Sequence, residues 1–246
     1  SRRWPRPRAL AGPESAAPEL VLEGRPAELS PGFEVRRVLP SHRRRSAGPF
    51  VFLDHFGPAD LAADPALAMD VGPHPHIGLA TLTYLYAGAV EHRDSLGVRR
   101  VVLPGEVNLM VAGDGVVHSE RGRHVAHLGG TDKDGKRLLH GLQLWLALPR
   151  DREEDAPSFH CAARLPALPL GGGARGTLVL GSLLGVRAPV EWMTPAFLVD
   201  LELDAGAEAR IPLATKHEAA VYCAQGAAAV GDGPCAVRVP QGSLAA

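Results

Sequence analysis

Two short motifs in this chain carry residues of the types that bind metal ions. His74 and His76 stand directly before a strand-like run, and His118 and Glu120 follow an Asp-Gly turn. In an extended chain, side chains two residues apart point to the same face, with Cα atoms roughly 6.5 Å apart. Each motif therefore offers two side chains to one face, and a fold that brings the two faces together would surround one cation.

Three neutral imidazoles and one carboxylate form an N3O donor set, which suits iron(II), manganese, nickel, copper or zinc. A structural zinc site usually contains cysteines and is closed. The three cysteines of this chain form no C-x-x-C motif. In an octahedral ion the N3O set leaves about two positions free for water, substrate or dioxygen. The four residues therefore indicate a catalytic metal site.

The rest of the chain predicts the β-structure that would position these residues. Its 28 glycines and 22 prolines are spread throughout. Strand-like runs recur about every 8–12 residues between turn residues, which is typical of an all-β sandwich or closed barrel. Residues 82–86, for example, have the composition of a strand.

Two β-domains are expected, with a boundary between about residues 150 and 170. Residues 31–160 would form the N-terminal, metal-binding domain, and residues 165–246 a C-terminal domain. Only PQGSLAA follows the last clear strand and turn, so the second barrel is expected to be truncated. It is also expected to be metal-free, because His217 and Glu218 have no partner motif. Residues 1–30 are expected to be a flexible basic segment.

Composition narrows the classes of partner. With 26 basic and 27 acidic residues, the chain is not expected to bind nucleic acid or anionic membranes by charge alone. No apolar run approaches the roughly 20 residues that span a bilayer. Cys161, Cys223 and Cys235 fit buried reduced thiols, with a Cys223–Cys235 bridge as the alternative. We therefore expect a cytoplasmic protein, or a nuclear one if the source is an animal.

Residues 72–120, with their HPH and HSE motifs, resemble the N-terminal cupin domain of the pirin family. The flanking segments FEVRRVLP, GPFVFLDHFGP and LHGLQLWLALPRDREEDAPSF extend the resemblance from residue 32 to about residue 160. HEAAVYCAQG at 217–226 resembles the C-terminal pirin cupin more weakly.

The resemblance implies a bicupin, an all-β protein of two cupin-type β-barrel (jelly-roll) domains. It implies iron in the N-terminal barrel, held by His74, His76, His118 and Glu120, and no metal in the C-terminal barrel. Several bacterial pirins and the human one are assigned quercetin 2,3-dioxygenase activity, and animal pirins are also assigned a nuclear role as iron-dependent transcription co-regulators.

The chain departs from the family pattern at three positions. Ala80 stands where the general cupin motif has a glutamate, which leaves Glu120 as the acidic ligand on offer. Leu109 replaces a frequent tryptophan, and Ala87 replaces an acidic residue. Those two changes are expected to reshape the pocket, and so to affect the substrate more than the metal.

The leading hypothesis is an iron-dependent dioxygenase that opens the ring of a flavonol such as quercetin. Its partners would be that aromatic substrate and dioxygen, with no direct nucleic-acid or membrane contact. Glu120 would bind the metal and also accept the proton of the flavonol hydroxyl. The alternative is an iron-binding, redox-sensitive regulator without turnover, with a protein partner that contacts the basic cluster 43–45. A cupin isomerase or hydrolase at the same site also stays open.

Two further histidines are left open by the sequence. His92 is as consistent with an exposed position as with one inside the barrel. His55 fits a packed loop better than the barrel mouth.

Overall fold

The regular structure of the chain is almost entirely β-sheet. A computed structural model describes residues 17–190, 192–214 and 217–246. Within these ranges the regular elements are strands and short 3₁₀ helices. The all-β fold class predicted from the strand-like spacing is therefore confirmed.

The strands run in chain order as follows: β1 (Val21–Glu23), β2 (Arg25–Ser30), β3 (Phe33–Leu39), β4 (Phe50–Asp60), β5 (Asp70–His76), β6 (Leu79–Ala87), β7 (Val90–Asp94), β8 (Arg99–Val102), β9 (Val107–Val111), β10 (Val116–Arg121), β11 (Leu138–Ala147), β12 (Ser158–Ala162), β13 (Ala167–Gly171), β14 (Ala174–Leu183), β15 (Val186–Arg187), β16 (Phe197–Leu203), β17 (Val221–Tyr222), β18 (Ala227–Val230), β19 (Val237–Pro240) and β20 (Ser243–Ala245). Short 3₁₀ helices lie at Pro65–Leu67, Ala126–Gly129, Arg150–Arg152 and Gly233–Cys235. Among the described residues, no helix has the length and apolar character needed to cross a membrane.

Two sheets of the first half enclose the space that the histidine motifs enter. A seven-stranded sheet has the order β12-β9-β6-β11-β4-β3-β2, and a four-stranded sheet has the order β5-β10-β7-β8. They pack together through fully buried apolar side chains such as Phe56 and Leu85 of the larger sheet and Val90 of the smaller. This packing holds the paired strands β5 and β10 over one face of the larger sheet.

The larger sheet is covered on both faces. Along β6, Leu82 and Tyr84 belong to a core cluster that also contains Leu180, Trp192 and Leu244 from the second half of the chain. Thr81 and the next odd-numbered side chains point to the opposite face, because side chains alternate along a strand. One face of the sheet therefore serves the histidine motifs, and the other faces the second half.

The second half of the chain forms smaller sheets. Strand β14 pairs with β13, β15 and β16, and β18 pairs with β19. The third sheet, β1-β20-β17, joins the two ends of the described chain, with Val21 opposite Ala245. The division into domains at 31–160 and 165–246 stays a prediction.

The prediction that residues 1–30 form a flexible segment is wrong for residues 21–30. Residues 21–30 form β1 and β2, because β1 pairs with β20 and β2 pairs with β3, where Arg25 lies opposite Arg37. Burial of Leu22 in the main core cluster contributes further stabilisation. Residues 1–16 lie outside the described residues.

The cysteines carry no disulfide. All three are free thiols, with Cys223 buried and Cys161 and Cys235 exposed. The prediction of reduced thiols is therefore confirmed, and the prediction that they are buried holds only for Cys223.

Candidate metal centre

The two histidine motifs lie side by side on paired strands. Strand β10 pairs antiparallel with β5, and His118 lies directly opposite His74. The ring centroid of His118 lies 4.3 Å from that of His74 and 4.9 Å from that of His76. One ring nitrogen from each of the three histidines lies within 4.8 Å of the others. The strand periodicity thus brings three imidazoles together in a group that can hold a metal ion.

The hydrogen bonds of two rings show which nitrogen is free to bind. Nδ1 of His74 lies 2.9 Å from the carbonyl oxygen of Gly72. A carbonyl oxygen only accepts, so His74 carries its proton on Nδ1 and leaves the lone pair on Nε2. Nε2 of His118 is buried and has no hydrogen-bond partner among the described residues.

An unsatisfied buried nitrogen costs free energy, because it has lost its bonds to water without replacement. A cation held by Nε2 of His118 would remove that cost, and neutral imidazole nitrogen is a common metal donor. The donor set and its orphaned nitrogen therefore fit a divalent transition metal.

Burial favours the neutral forms of His76 and His118. It lowers the pKa of His118 to about 2, with further lowering by the neighbouring histidines. Burial and the charge of His74 lower the pKa of His76 to about 4. A histidine binds a metal ion through its neutral imidazole, so these pKa shifts leave the side chains of His76 and His118 ready to bind near neutral pH.

Glu120 is buried beside the histidines, but it is not one of the side chains whose donor atoms all lie within 4.8 Å. The pairing of β10 with β5 becomes irregular after His118, so that Glu120 lies opposite Val71. Two residues of β10 thus span three of β5, in a stretch that contains Pro73, which has no N–H for a regular ladder. Glu120 as a fourth ligand stays a prediction.

The surroundings of Glu120 favour its neutral form. Burial raises its pKa to about 7, and a hydrogen bond from Thr83 opposes that rise. The Thr83 hydroxyl lies 3.4 Å from Oε1 of Glu120 and 2.8 Å from Oε1 of Gln143, and its single proton is donated to one of them at a time. A carboxyl group that titrates near pH 7 can gain or release a proton under neutral conditions.

His92 supports His118 from behind. It is 5% exposed, and its Nδ1 lies 3.4 Å from Nδ1 of His118. Its Nε2 lies 2.9 Å from Oδ2 of Asp94. A carboxylate accepts, so Nε2 of His92 is the protonated nitrogen and its Nδ1 can accept from His118. The position of His92, which the sequence left open, is thus inside the structure and against a candidate ligand.

An aromatic and charged wall completes the site. The Trp145 ring meets His76 edge-on at 5.1 Å and stacks on Phe52 at 4.0 Å. The guanidinium of Arg37 lies 4.6 Å from the Phe52 ring centre and donates two hydrogen bonds to the fully buried Asp54. Sequence reasoning missed these residues, and their only signal was polar and aromatic positions within otherwise apolar strands.

A cavity of about 350 Å³ borders His76 on the outer side of the site. Its walls include Ile77 and Val117, which are 71% and 46% exposed. Val117 alternates with His118 along β10, so this cavity lies on the outer surface of the strand and not against the His118 side chain.

Two of the three positions that depart from the family pattern lie on the other face of the larger sheet. Ala80 and Leu109 belong to the core cluster on the reverse face of the larger sheet. The expectation that Leu109 reshapes the pocket is therefore wrong, because its side chain packs away from the histidines. His124 also lies outside the histidine group and pairs with Glu91 at 3.0 Å.

Comparison with known proteins agrees with this geometry. The family model "Pirin" matches residues 32–146. A pirin-like protein of Caulobacter vibrioides is 43% identical over 210 residues, which cover 85% of this chain and 70% of that protein. This chain belongs to the pirin family. The resemblance read from the HPH and HSE motifs is confirmed.

Solved structures extend the comparison of this pirin. A quercetin 2,3-dioxygenase from Acinetobacter baumannii shares 37% sequence identity and a TM-score of 0.69. The match covers 79% of this chain and 61% of that one, so this chain spans less than two thirds of its length. A second A. baumannii quercetin 2,3-dioxygenase has a TM-score of 0.78 over 93% of this chain and 78% of its own. At 24% identity it shows the fold alone.

Proposed function

We propose that His74, His76, His118 and Glu120 hold one iron(II) ion, and that this pirin is a dioxygenase acting on a flavonol such as quercetin. The observation that carries the metal site is the buried, unpartnered Nε2 of His118 within a group of three imidazoles. The similarity to a quercetin 2,3-dioxygenase at 37% identity supports the substrate class.

When bound, iron(II) supplies Lewis acidity and redox chemistry with dioxygen. Glu120 is the carboxylate of the proposed ligand set, so it would hold the metal and also accept the proton of the flavonol hydroxyl.

The experiment combines metal content with turnover. The full chain is purified without chelator and analysed for metal, then loaded anaerobically with iron(II), manganese, nickel, copper or zinc in separate samples. Quercetin absorbance and dioxygen uptake are followed after admission of air. We expect iron at about one ion per chain, loss of quercetin absorbance and matching uptake of dioxygen.

Two variants make the result specific. His118→Ala should lose both metal and turnover, whereas the exposed His42→Ala should keep both. Metal retained by His118→Ala would refute the site. Metal bound without consumption of quercetin would refute the dioxygenase and favour the regulatory alternative.

A further inference from the structure

A second cluster of histidine and tyrosine side chains lies on the reverse face of the larger sheet. His55 stands on β4 between Asp54 and Phe56, so it points away from the face that serves the metal centre. Nδ1 of His55 lies 2.6 Å from the hydroxyl of Tyr222, and its Nε2 lies 2.7 Å from Nε2 of His140. The three side chains come from β4, β11 and β17 and form one continuous hydrogen-bonded chain.

A cavity of about 1080 Å³ lies over this chain. Tyr222 and His140, the two ends of the chain, line it, whereas His55 is buried behind them. Tyr86 also lines it, and its ring centre is 4.8 Å from that of His140. The facing wall is apolar and includes Phe197 of β16. The cavity thus combines an aromatic and apolar interior with a polar pair at one wall.

Both histidines of the hydrogen-bonded chain, His55 and His140, are neutral near pH 7. Burial, aided by the charges of His140 and Arg36, lowers the pKa of His55 to about 4. Burial also lowers the pKa of His140. Each ring therefore carries one proton, so each has one donor and one acceptor nitrogen.

This protonation determines which end of the hydrogen-bonded chain, Tyr222 or His140, can donate a hydrogen bond to a ligand and which can accept one. If His55 donates from Nδ1 to Tyr222, it accepts from His140, so the Tyr222 hydroxyl is free to donate and Nδ1 of His140 can accept. If His55 donates from Nε2, both roles reverse. Nδ1 of His140 has no partner among the described residues. In either state the chain presents one donor and one acceptor to a ligand.

The charged side chains Arg175 and Asp200, which line the cavity, each have a partner. Arg175 pairs with Glu202 at 3.3 Å and with Asp204 at 3.0 Å. Asp200 accepts a hydrogen bond from Tyr84 at 3.0 Å, and burial raises its pKa, which weakens its negative charge. The described lining therefore offers no unpaired cation to an anionic ligand.

Glu218, at the rim, pairs with Arg44 at 3.1 Å and accepts the backbone N–H of Gly48. Its carboxylate thus already has an ion-pair partner. A cationic ligand would have to compete with Arg44 for it.

We propose that this cavity is a second ligand site, which binds a neutral aromatic molecule carrying both a hydroxyl and a carbonyl group. The ring packs against Tyr86 and the apolar wall, and the two oxygens bond to Tyr222 and His140. The site lies on the opposite face of the sheet from His118, so it does not depend on the metal or on the proposed dioxygenase activity.

The test uses 4′-hydroxyacetophenone as the probe and isothermal titration of the full, metal-loaded chain. We expect saturable binding that weakens at least tenfold in Tyr222→Phe and in His140→Phe. His42→Ala is the control, because it removes an exposed imidazole outside the cavity, and it should change affinity less than threefold. His118→Ala should bind the probe as the wild type does, which separates this site from the metal centre.

Charged analogues test the electrostatic argument. 4-Hydroxybenzoate and tyramine should bind at least tenfold more weakly than the neutral probe. The proposal is overturned by the absence of saturable binding, by equal affinity for either charged analogue, or by unchanged affinity in both Tyr222→Phe and His140→Phe. Urea midpoints of the variants are measured alongside. If His140→Phe does not fold, Tyr222→Phe, which keeps the ring in place, decides the outcome.

Discussion

Nδ1 of His118 lies 3.4 Å from Nδ1 of His92, while Nε2 of the same His118 ring is buried without a partner. Because His92 is fixed by Asp94 at 2.9 Å, its Nδ1 is an acceptor, and it favours the His118 tautomer that carries its proton on Nδ1. That tautomer leaves the lone pair on Nε2, where the proposed metal lies. An outer histidine thus prepares an inner one for ligation.

Removal of this support should weaken metal binding. We expect His92→Phe to lower the affinity for iron(II) or its surrogate zinc by roughly 10–100-fold, since outer partners of ligating histidines have effects of that size. Competition with a chromophoric chelator measures the change. His92→Gln, which can accept from His118 and donate to Asp94, should restore much of the affinity, and the exposed His42→Ala should have no effect. Unchanged affinity in His92→Phe would show that His92 only fills space.

The ion pair between Arg37 and Asp54 should be important for stability. Asp54 is fully buried and accepts two hydrogen bonds from the guanidinium, at 2.9 and 2.7 Å. Asp54→Asn leaves the part-buried Arg37 guanidinium without its anion and weakens two charged hydrogen bonds, so we expect a loss of about 2 kcal/mol in the free energy of unfolding. Urea denaturation measures it. The same substitution in the exposed pair of Arg152, Asp155→Asn, should change stability by less than about 0.5 kcal/mol. Equal effects in the two variants would contradict the argument.

His55 should make the protein sensitive to acid. Its pKa in the folded state is lowered to about 4 from 6.5, so between these values the unfolded chain takes up a proton that the folded chain does not. Stability is therefore lost as the pH falls from 6.5 towards 4, by on the order of 2 kcal/mol between pH 7 and pH 5.

His55→Gln keeps a donor and an acceptor but does not titrate. Unfolding at a series of pH values should show a smaller loss on acidification in this variant than in the wild type, whatever its stability at pH 7. His42→Gln, at an exposed position, should follow the wild-type pH dependence. A wild-type slope in His55→Gln would mean that other groups cause the acid sensitivity.

The sequence predicted the parts of the site that follow strand periodicity. His74 and His76 lie two apart on one strand, and His118 stands on a second, so alternation alone predicts how each pair is presented. The irregular pairing at Pro73 could not be predicted, because it depends on how two distant strands align. It is this irregularity that places Glu120 opposite Val71.

Long-range contacts account for the other differences. The pairing of β1 with β20 joins residues more than 200 positions apart, and no local pattern in residues 21–23 indicates it. The contact of His55 is also long-range, since its partner Tyr222 is 167 positions away in sequence. The prediction that His55 is a packed loop histidine is wrong, because the residue lies within strand β4, where it is buried in a hydrogen-bonded network.

Glu120→Gln gives the sharpest test of the fourth ligand. Loss of a buried acid should stabilise the metal-free protein, whereas loss of a metal ligand should destabilise the metal-loaded protein. In the metal-free protein the pKa of Glu120 is raised to about 7 by burial. Between pH 4.5 and 7 the folded chain holds a proton that the unfolded chain releases, so this group lowers stability as the pH rises, by about 3 kcal/mol in total. Glu120→Gln removes that loss.

We therefore expect metal-free Glu120→Gln to be more stable than the metal-free wild type at pH 8, with a difference that shrinks towards pH 4.5. In the presence of iron(II) the order should reverse, because the wild type gains a ligand that the variant lacks. Thermal unfolding at pH 4.5 and pH 8, with and without metal, measures the difference in stability between wild type and variant under each of the four conditions. If metal stabilises the two proteins equally, Glu120 is a buried acid beside the three histidines and not a ligand, and the metal would be held by His74, His76 and His118 with its remaining positions open.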